Sequence, residues 1–324
     1  MSYNLSLSAG LASAQTTYQA AFENLYAGNM LPGGWSLWTE KLTGNAKTIS
    51  LQSIANFPVM SEWNGAKIEK YLRHYALTAT LKKFEATLPI QRMDLTYEGG
   101  MPIIGRAIDA YLRQQVTAYD KSCADVLDSA SGAGPTGYDL VALFSASHPH
   151  GAAGALQSNI GAGVNLNWRT FDAARQAGTE YRFENGEPAG IRYTHMRVGP
   201  KLERVAKEIL EAKDRIAYTD MFAAASTTAV QNATLFPNVW AGELKLVVDP
   251  RITTYHWDLY DLSKPGVRPL MLYEGRAPEP VLLDQMDGER RFNTDEFVFG
   301  LEGDWVPFAG HWMTAYRGTG TAVG

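Results

Sequence analysis

The residues best suited to chemistry form a short polar cluster near the middle of the chain. His148 and His150 flank Pro149, and Ser145 and Ser147 come just before them. Two imidazoles two residues apart can share a metal ion on a strand, and a serine beside a histidine can act as a nucleophile. The cluster therefore raises two hypotheses, a metal-dependent hydrolase and a serine hydrolase.

The rest of the sequence does not supply the partners that either enzyme needs. Zinc usually takes three or four protein ligands, yet the chain has no HExxH motif, and its single cysteine, Cys123, is not near the cluster. No GxSxG elbow, Walker motif or GxGxxG loop occurs. We therefore predict no catalytic residue, no metal ligand and no cofactor, and we predict a turn at His148-Pro149-His150. The metal-dependent hydrolase is kept as an alternative.

The elements around this cluster begin with stretches that have the period of helices. Residues 1–34 resemble an arm with a short helical period, which has too few apolar side chains to form its own core. Residues 102–128 predict one long helix that would serve as a spine, about 40 Å long at 1.5 Å per residue. Residues 200–217 predict a second amphipathic helix, with Glu203 placed four residues before Lys207.

Other stretches alternate apolar and polar residues, as strands do. Residues 46–97 are predicted to be extended, with a hairpin turn at Asn64-Gly65 and long strands on its far side. Shorter alternations at 244–248 and 297–301 predict further strands. Because helices and strands are mixed without βαβ regularity, the predicted class is α+β.

The charge of the chain indicates which classes of partner to expect. The chain of 324 residues has a formal net charge of -5, and only 19% of its residues are charged, so a sequence-reading DNA-binding protein is not expected. The low charged fraction is consistent with a surface covered by other subunits. Residues 66–92 are basic, and both a solvated hairpin and a hairpin that docks on an acidic neighbour remain open. The basic residues there are Lys67, Lys70, Arg73, Lys82, Lys83 and Arg92.

Cellular location follows from three negative observations. Cys123 has no second cysteine to pair with, the first residues lack the basic and apolar regions of a signal peptide, and no stretch is long enough for a membrane helix. We expect a chain that is made and assembled in the host cytoplasm, without a membrane partner.

Several segments, in order along most of the chain, resemble the Mu-like major head subunit family of tailed phages. The most specific is the block 143–149, which ends in His148-Pro149 and is followed by Asn159. The stretch 94–98 departs from the family, because its acidic pair is looser. The other matching segments are 58–65, 83–90, 198–202, 246–250, 297–300 and 310–312.

This resemblance implies the tailed-phage major capsid fold of the Hong Kong phage type. It implies an N-terminal arm, an extended loop, a peripheral domain with a spine helix, and an axial domain. The segments map as arm 1–41, extended hairpin loop 42–98, first part of the peripheral domain 99–164, axial domain 165–250 and peripheral return 251–324.

The implied function is a major capsid protein that assembles into an icosahedral shell around phage double-stranded DNA, and not an enzyme. The implied partners are the chain itself in hexamers and pentamers, portal and scaffolding or decoration proteins, and DNA without sequence specificity. The virion capsid is the expected location. Candidate inter-subunit contacts are Trp63, Lys67, Lys70, Arg73, Lys82 and Lys83.

Three other functions remain as alternatives. A cargo-enclosing nanocompartment shell would share the fold and differ in contents. The metal-dependent hydrolase would use His148 and His150. A tail or baseplate protein could bind carbohydrate through its tryptophans, although buried or interface positions are the more common use of such residues.

Overall fold

The computed structural model describes most of the chain, and it divides the chain into two units. Unit 1 comprises Met1–Leu51, Leu77–Leu127 and Leu270–Phe308, and unit 2 comprises Gln52–Ala76, Asp128–Pro269 and Ala309–Gly324. The described residues are 2–28, 34–55, 73–96, 100–131, 135–150, 155–183, 185–218, 233–283 and 295–321.

Helices and strands alternate irregularly along the chain, as the α+β class requires. The helices are α1 (Ser2–Gly28), α2 (Arg92–Thr96), α3 (Gly100–Val116), α4 (Ala118–Asp128), α5 (Trp168–Glu180) and α6 (Glu203–Leu210). The strands are β1 (Thr39–Thr43), β2 (Thr48–Ala55), β3 (Arg73–Thr80), β4 (Lys82–Gln91), β5 (His148–His150), β6 (Ala155–Gln157), β7 (Ile160–Ala162), β8 (His195–Val198), β9 (Asp214–Tyr218), β10 (Ala233–Pro237), β11 (Lys245–Val248), β12 (Tyr255–Tyr260), β13 (Leu270–Leu283), β14 (Glu296–Ala309) and β15 (Ala315–Gly320).

Unit 1 is built on a sheet in the order β1-β13-β14-β4, with β1 parallel to β13 and β4 antiparallel to β14. Apolar side chains of α1 and α3 pack with Phe297 and Phe299 of β14 in one core cluster. The Tyr18 hydroxyl donates to the Gly300 carbonyl over 2.7 Å and so ties α1 to the same sheet. The predicted arm is therefore mostly one helix of 27 residues, and it does lie on another part of the chain.

Unit 2 is built on a mixed sheet in the order β11-β8-β12-β15-β7. Strand β12 pairs antiparallel with β8 on one side and with β15 on the other. The outer strands run parallel to their partners, β11 to β8 and β7 to β15. Asn167 begins α5 with a capping box, in which its side chain accepts from the backbone N–H of Thr170. The central strands bury Trp257, Leu259 and Met196 completely.

The prediction of a single helix over 102–128 is wrong. The structure has two helices, α3 and α4, that are separated at Thr117. The Thr117 hydroxyl donates to the Gln114 carbonyl over 2.8 Å, and the Thr117 N–H donates to the same carbonyl over 3.3 Å. Such local bonds compete with the i to i−4 ladder and tighten one turn, so the helix is interrupted there.

The prediction of a helix over 200–217 is wrong in its second half. Helix α6 ends at Leu210, and residues 214–218 form β9, which pairs with β10 so that Ile216 faces Leu235. The Asn238 side chain donates to the carbonyls of Ile209 and Ala212 over 2.7 and 2.9 Å. These contacts come from a distant segment and cap the helix. The helical period of the apolar residues gives no sign of them.

The four predicted strand alternations are confirmed, but the extended stretch predicted over 46–97 is wrong at its end, where 92–96 form the helix α2. The alternations at 75–81, 86–90, 244–248 and 297–301 coincide largely with β3, β4, β11 and β14. The hairpin turn at Asn64-Gly65 lies outside the described residues. None of the described helices is long and apolar enough to cross a membrane.

Two strands pair across the boundaries of the five predicted segments, which stay a prediction. Strand β4, which was predicted as the last part of the extended loop, pairs with β14 over its whole length within unit 1. Strand β12, which was predicted to begin the peripheral return, pairs with β8 and β15 within unit 2. The chain returns to unit 1 at Leu270 and leaves it again after Phe308.

Candidate functional site

His148 is fully buried and lies on a strand, so the predicted turn at 148–150 is wrong. Strand β5 pairs antiparallel with β6, with His148 opposite Gln157, and proline is tolerated in such a short strand. The ring stacks on Trp312 with centroids 4.2 Å apart and planes 3° apart. Its Nδ1 lies 2.6 Å from Asp139 Oδ2 and its Nε2 lies 3.1 Å from Asn159 Oδ1.

Asn159 fixes the orientation of this cluster. Its side-chain amide donates to three carbonyl oxygens, and its Oδ1 accepts from the Ser145 N–H over 2.8 Å. The amide oxygen therefore faces His148, and both ring nitrogens of His148 face oxygen acceptors. The three carbonyls belong to Leu143, Trp312 and Ala315.

Both ring nitrogens of His148 are engaged within its own unit. A general base needs a free ring nitrogen within reach of a nucleophile, and both nitrogens already bind Asp139 and Asn159. Ser145 and Ser147 are 3.2 Å apart at their hydroxyls and bond to each other. Among the described residues there is no group of three or more histidines, cysteines or carboxylates placed to hold a metal.

Sequence reasoning did not pair Asp139 or Asn159 with His148. One signal was present, because Asp139 is the only formally charged residue between 131 and 168. A lone acid in such an apolar stretch indicates a buried partner. The tertiary structure supplies that partner nine residues later, through β5.

A second buried polar centre, the Asp258 centre, crosses the middle of the unit 2 sheet. Asp258 of β12 lies opposite Arg197 of β8 on one side and Arg317 of β15 on the other. Arg317 binds both carboxylate oxygens, with Nε–Oδ1 and Nη2–Oδ2 distances of 2.6 and 2.8 Å. Arg197 reaches Oδ2 at 3.2 Å, and the Tyr260 hydroxyl donates to the same oxygen over 2.9 Å.

The charges in the Asp258 centre compensate one another. Burial by itself would raise the pKa of Asp258, but the positive charge and hydrogen bonds of Arg317, with Arg197 and His256 nearby, hold that pKa well below its ordinary value. Arg197 also binds Asp249, with an Nη2–Oδ2 distance of 2.8 Å. The centre therefore clamps β8, β12 and β15 together, a structural role that sequence reasoning missed. The available signal was a charged residue flanked by apolar ones in each strand.

The six predicted inter-subunit residues are only partly described. Trp63, Lys67 and Lys70 lie outside the described residues, and Arg73 begins β3 with its side chain outside the description. Lys82 and Lys83 begin β4, and both are exposed.

Lys83 has a partner in its own chain. Its Nζ lies 2.9 Å from Glu302 Oε2, although the side chain stays 56% exposed. Arg276 joins the same row of charges by binding Glu302 at 3.3 Å and Asp304 at 3.2 Å. The hydrogen bond from Lys83 is the main reason that the pKa of Glu302 lies below its ordinary value.

A comparison with models of protein families identifies the family of this chain. Residues 11–177 match the model of the family described as Mu-like prophage major head subunit gpT, which is just over half of the chain. The chain belongs to this family. It is a head subunit, a structural protein of the phage capsid, and the resemblance on which that prediction rested is confirmed.

Solved structures agree on the fold of the head subunit. A chain from Microbacterium phage Oxtober96 is 14% identical, with 89% of this chain and 91% of that chain covered and a TM-score of 0.54. A chain from Mycobacterium phage Bobi is 10% identical, with 90% and 91% covered and a TM-score of 0.53. The capsid of a native GTA particle gives 8% identity, 90% coverage of both chains and a TM-score of 0.51. No curated protein matches.

At such low identities these structures establish the fold alone. The predicted α+β capsid fold of the Hong Kong phage type is confirmed. The family match shows that the head subunit forms the phage shell. The buried centres at His148 and Asp258 lie in its second unit.

Proposed function

We propose that the head subunit assembles from identical copies into hexamers and pentamers that close into an icosahedral shell around double-stranded DNA. The observation that carries this proposal is the family match over residues 11–177. Contacts between different patches of identical subunits generate rings when the rotation closes, as hexamers and pentamers require. The low charged fraction of 19% is consistent with extensive covered surface. Portal and scaffolding or decoration proteins are further proposed partners, and the host cytoplasm is the proposed place of assembly.

Electron microscopy of the expressed protein tests the proposal directly. We expect closed shells with five-fold and six-fold capsomers. A well-folded, monodisperse monomer under all assembly conditions would contradict it. Particles filled with a protein cargo and free of nuclease-protected DNA would favour a nanocompartment shell.

The proposed contact with packaged DNA is weak and independent of sequence. The net charge of -5 is unlike that of proteins that read DNA sequence, which usually carry a basic patch. Contacts should therefore be few, directed at phosphates and lost as salt rises. Binding to mixed-sequence and single-sequence duplexes should be equal at physiological salt, and nanomolar affinity for one particular sequence would overturn this part.

We further propose that the predicted domain segments correspond to the two units. The proposed peripheral domain is unit 1, in which α3 and α4 together take the place of the spine, with the arm 1–41 on it. The proposed axial domain is unit 2, which extends the predicted segment 165–250 on both sides. The proposed extended loop then lies within 42–81, because β4 belongs to the sheet of unit 1.

The proposed loop covers a neighbouring subunit, and its basic residues, together with Lys82 at the start of β4 directly after it, meet acidic surface there. Lys82→Glu tests the electrostatic part, since Lys82 is exposed and forms no ion pair with another described residue. Shell yield should fall and become more sensitive to salt, while the subunit stays folded. Lys82→Gln is the matched control, because it removes the charge without reversing it and should have a smaller effect. Unchanged yield and salt resistance in Lys82→Glu would contradict the proposal.

A further inference from the structure

Leu140 is an apolar side chain held outside the subunit by a strained backbone. It lies at the tip of a small hairpin in unit 2, has a φ of 61° and is 71% exposed. That φ lies in the left-handed region, which glycine and asparagine adopt far more readily than leucine. Within its own subunit, Leu140 thus incurs a conformational cost and buries little apolar surface.

The hairpin holds this conformation from inside. Thr136 and Ala142 form a β-bridge, and the Gly137 N–H donates to the Val141 carbonyl over 2.7 Å. Asp139, next to Leu140, turns inward, where one oxygen accepts from the Val141 N–H and the other binds His148. The buried cluster of His148, Asp139 and Asn159 therefore holds the hairpin in place. Strained residues kept by a rigid surrounding structure are typical of functional positions.

A groove on the same unit suits an apolar side chain. We call it the Trp240 groove; its volume is about 380 Å³, and α5, α6 and the start of β9 border it. Trp240 is fixed in place by the Arg175 guanidinium, which lies 4.2 Å from its ring centroid. The apolar lining is Trp168, Val205, Ile209, Ala212 and Trp240.

The Trp240 groove has four polar side chains in its lining, and three of them are engaged already; the fourth is Asp214, at the start of β9. Asn167 caps α5, and Asn238 donates to the carbonyls of Ile209 and Ala212. Glu208 binds Arg204 at 3.0 Å. A polar ligand would find few free groups there, whereas a branched aliphatic side chain would bury its methyl groups against rings and other methyl groups.

We propose that Leu140 of one head subunit inserts into the Trp240 groove of a second copy. This inference rests on the proposed function, since it names one contact of the assembled shell. The two patches differ, so the contact is heterologous, and repeating it generates a ring of subunits when the rotation closes. The tip and the groove both belong to unit 2, so the contact joins equivalent units of neighbouring subunits.

Replacement of Leu140 separates assembly from folding. Leu140→Asn relieves the backbone strain and removes the apolar contact, so the subunit should melt at the same or a higher temperature. The concentration needed for shell assembly should rise roughly tenfold, as expected when a central apolar contact is lost. Leu140→Met is the matched control and should assemble like the wild type. Equal assembly of the asparagine and methionine variants would overturn the proposal.

Disulfide trapping tests the pairing of the two patches. Leu140→Cys and Val205→Cys are made in separate chains, which are then mixed, assembled and oxidised. Cys123 should not interfere, because it is buried and burial raises the pKa of its thiol to about 12. Ile103→Cys, at an exposed position of unit 1, replaces Val205→Cys in a matched control mixture.

A cross-linked dimer is expected only in the mixture that contains both the Leu140 and the Val205 variants. Shells without that cross-link, or equal cross-linking with the Ile103 control, would overturn this inference and leave the proposed function intact. Failure of the wild-type chain to form shells at all would instead count against the proposed function.

Discussion

The sheets of the two units carry their charges in opposite ways. In unit 1 the row formed by Lys83, Glu302, Arg276 and Asp304 lies on an accessible face, where water and salt screen the pairs. Even Glu274, which is buried, pairs with a lysine, Lys41, whose side chain is 38% exposed. The apolar core of unit 1 therefore provides most of its stability, and its ion pairs add little.

In the central strands of the unit 2 sheet the paired charges are inside. Arg197, Asp258 and Arg317 lie side by side on three central strands and are almost completely buried, and His148 with Asp139 forms another enclosed pair. A buried charge that loses its partner keeps its desolvation cost, so these residues depend on one another. Because solvent access differs, we expect the ion pairs on the unit 1 sheet to be replaceable and the buried pairs of the unit 2 sheet to be required for stability.

The largest effect is expected for Asp258→Asn. The change leaves two buried guanidiniums without their shared carboxylate, and it should lower the free energy of unfolding by about 3–5 kcal/mol. Chemical denaturation of the unassembled subunit measures it. Glu302→Gln in unit 1 is the matched control. If both substitutions had the same small effect, the contrast between the two units would be lost.

A loss of about 3 kcal/mol is expected for His148→Ala. The substitution removes a ring stacked on Trp312 and leaves Asp139 buried without its main partner. Ser147→Ala, at an exposed neighbouring position, is the control and should be close to neutral. The metal content of both proteins is measured as well. Stoichiometric zinc in the wild type that is absent from His148→Ala would support the hypothesis of a metal site.

Acid should weaken unit 2 through Asp258. Because its pKa in the folded protein lies below the ordinary value, the unfolded chain binds the proton more readily. The stabilisation is fully present above the unfolded pKa of about 4 and is lost progressively as the pH falls below it. Unfolding measured between pH 3 and 6 should show a steeper decline in the wild type than in Asp258→Asn. Parallel curves would contradict this assignment.

The smallest effect is expected for Glu302→Gln. It removes the negative charge that Lys83 and Arg276 share on the unit 1 sheet, where each pair is partly exposed. Any change in the unfolding midpoint should be slight at low salt and absent at high salt. A large effect that persists at high salt would show that this row is structural, and it would blur the distinction between the two units.

Local patterns in the sequence predicted part of this molecule. The alternation of apolar residues at 86–90 and 297–301 was enough for β4 and β14, because a strand with one buried face needs a period of two wherever it pairs. The α+β class followed from the mixture of such stretches. The motif ending in His148-Pro149, with Asn159 after it, led to the head subunit family, which the family comparison confirmed.

The tertiary structure decided the features that depend on distant residues. Helix α6 ends at Leu210 because Asn238 caps it, and the spine breaks at Thr117 through a hydrogen bond that no apolar period reports. Asp258 meets its two arginines only when β8, β12 and β15 are aligned, across 59 to 61 residues of chain. Hydrophobic periodicity is a local property and is therefore readable in the sequence. The partner of a buried charge is set by strand order and register, which exist only in the folded chain.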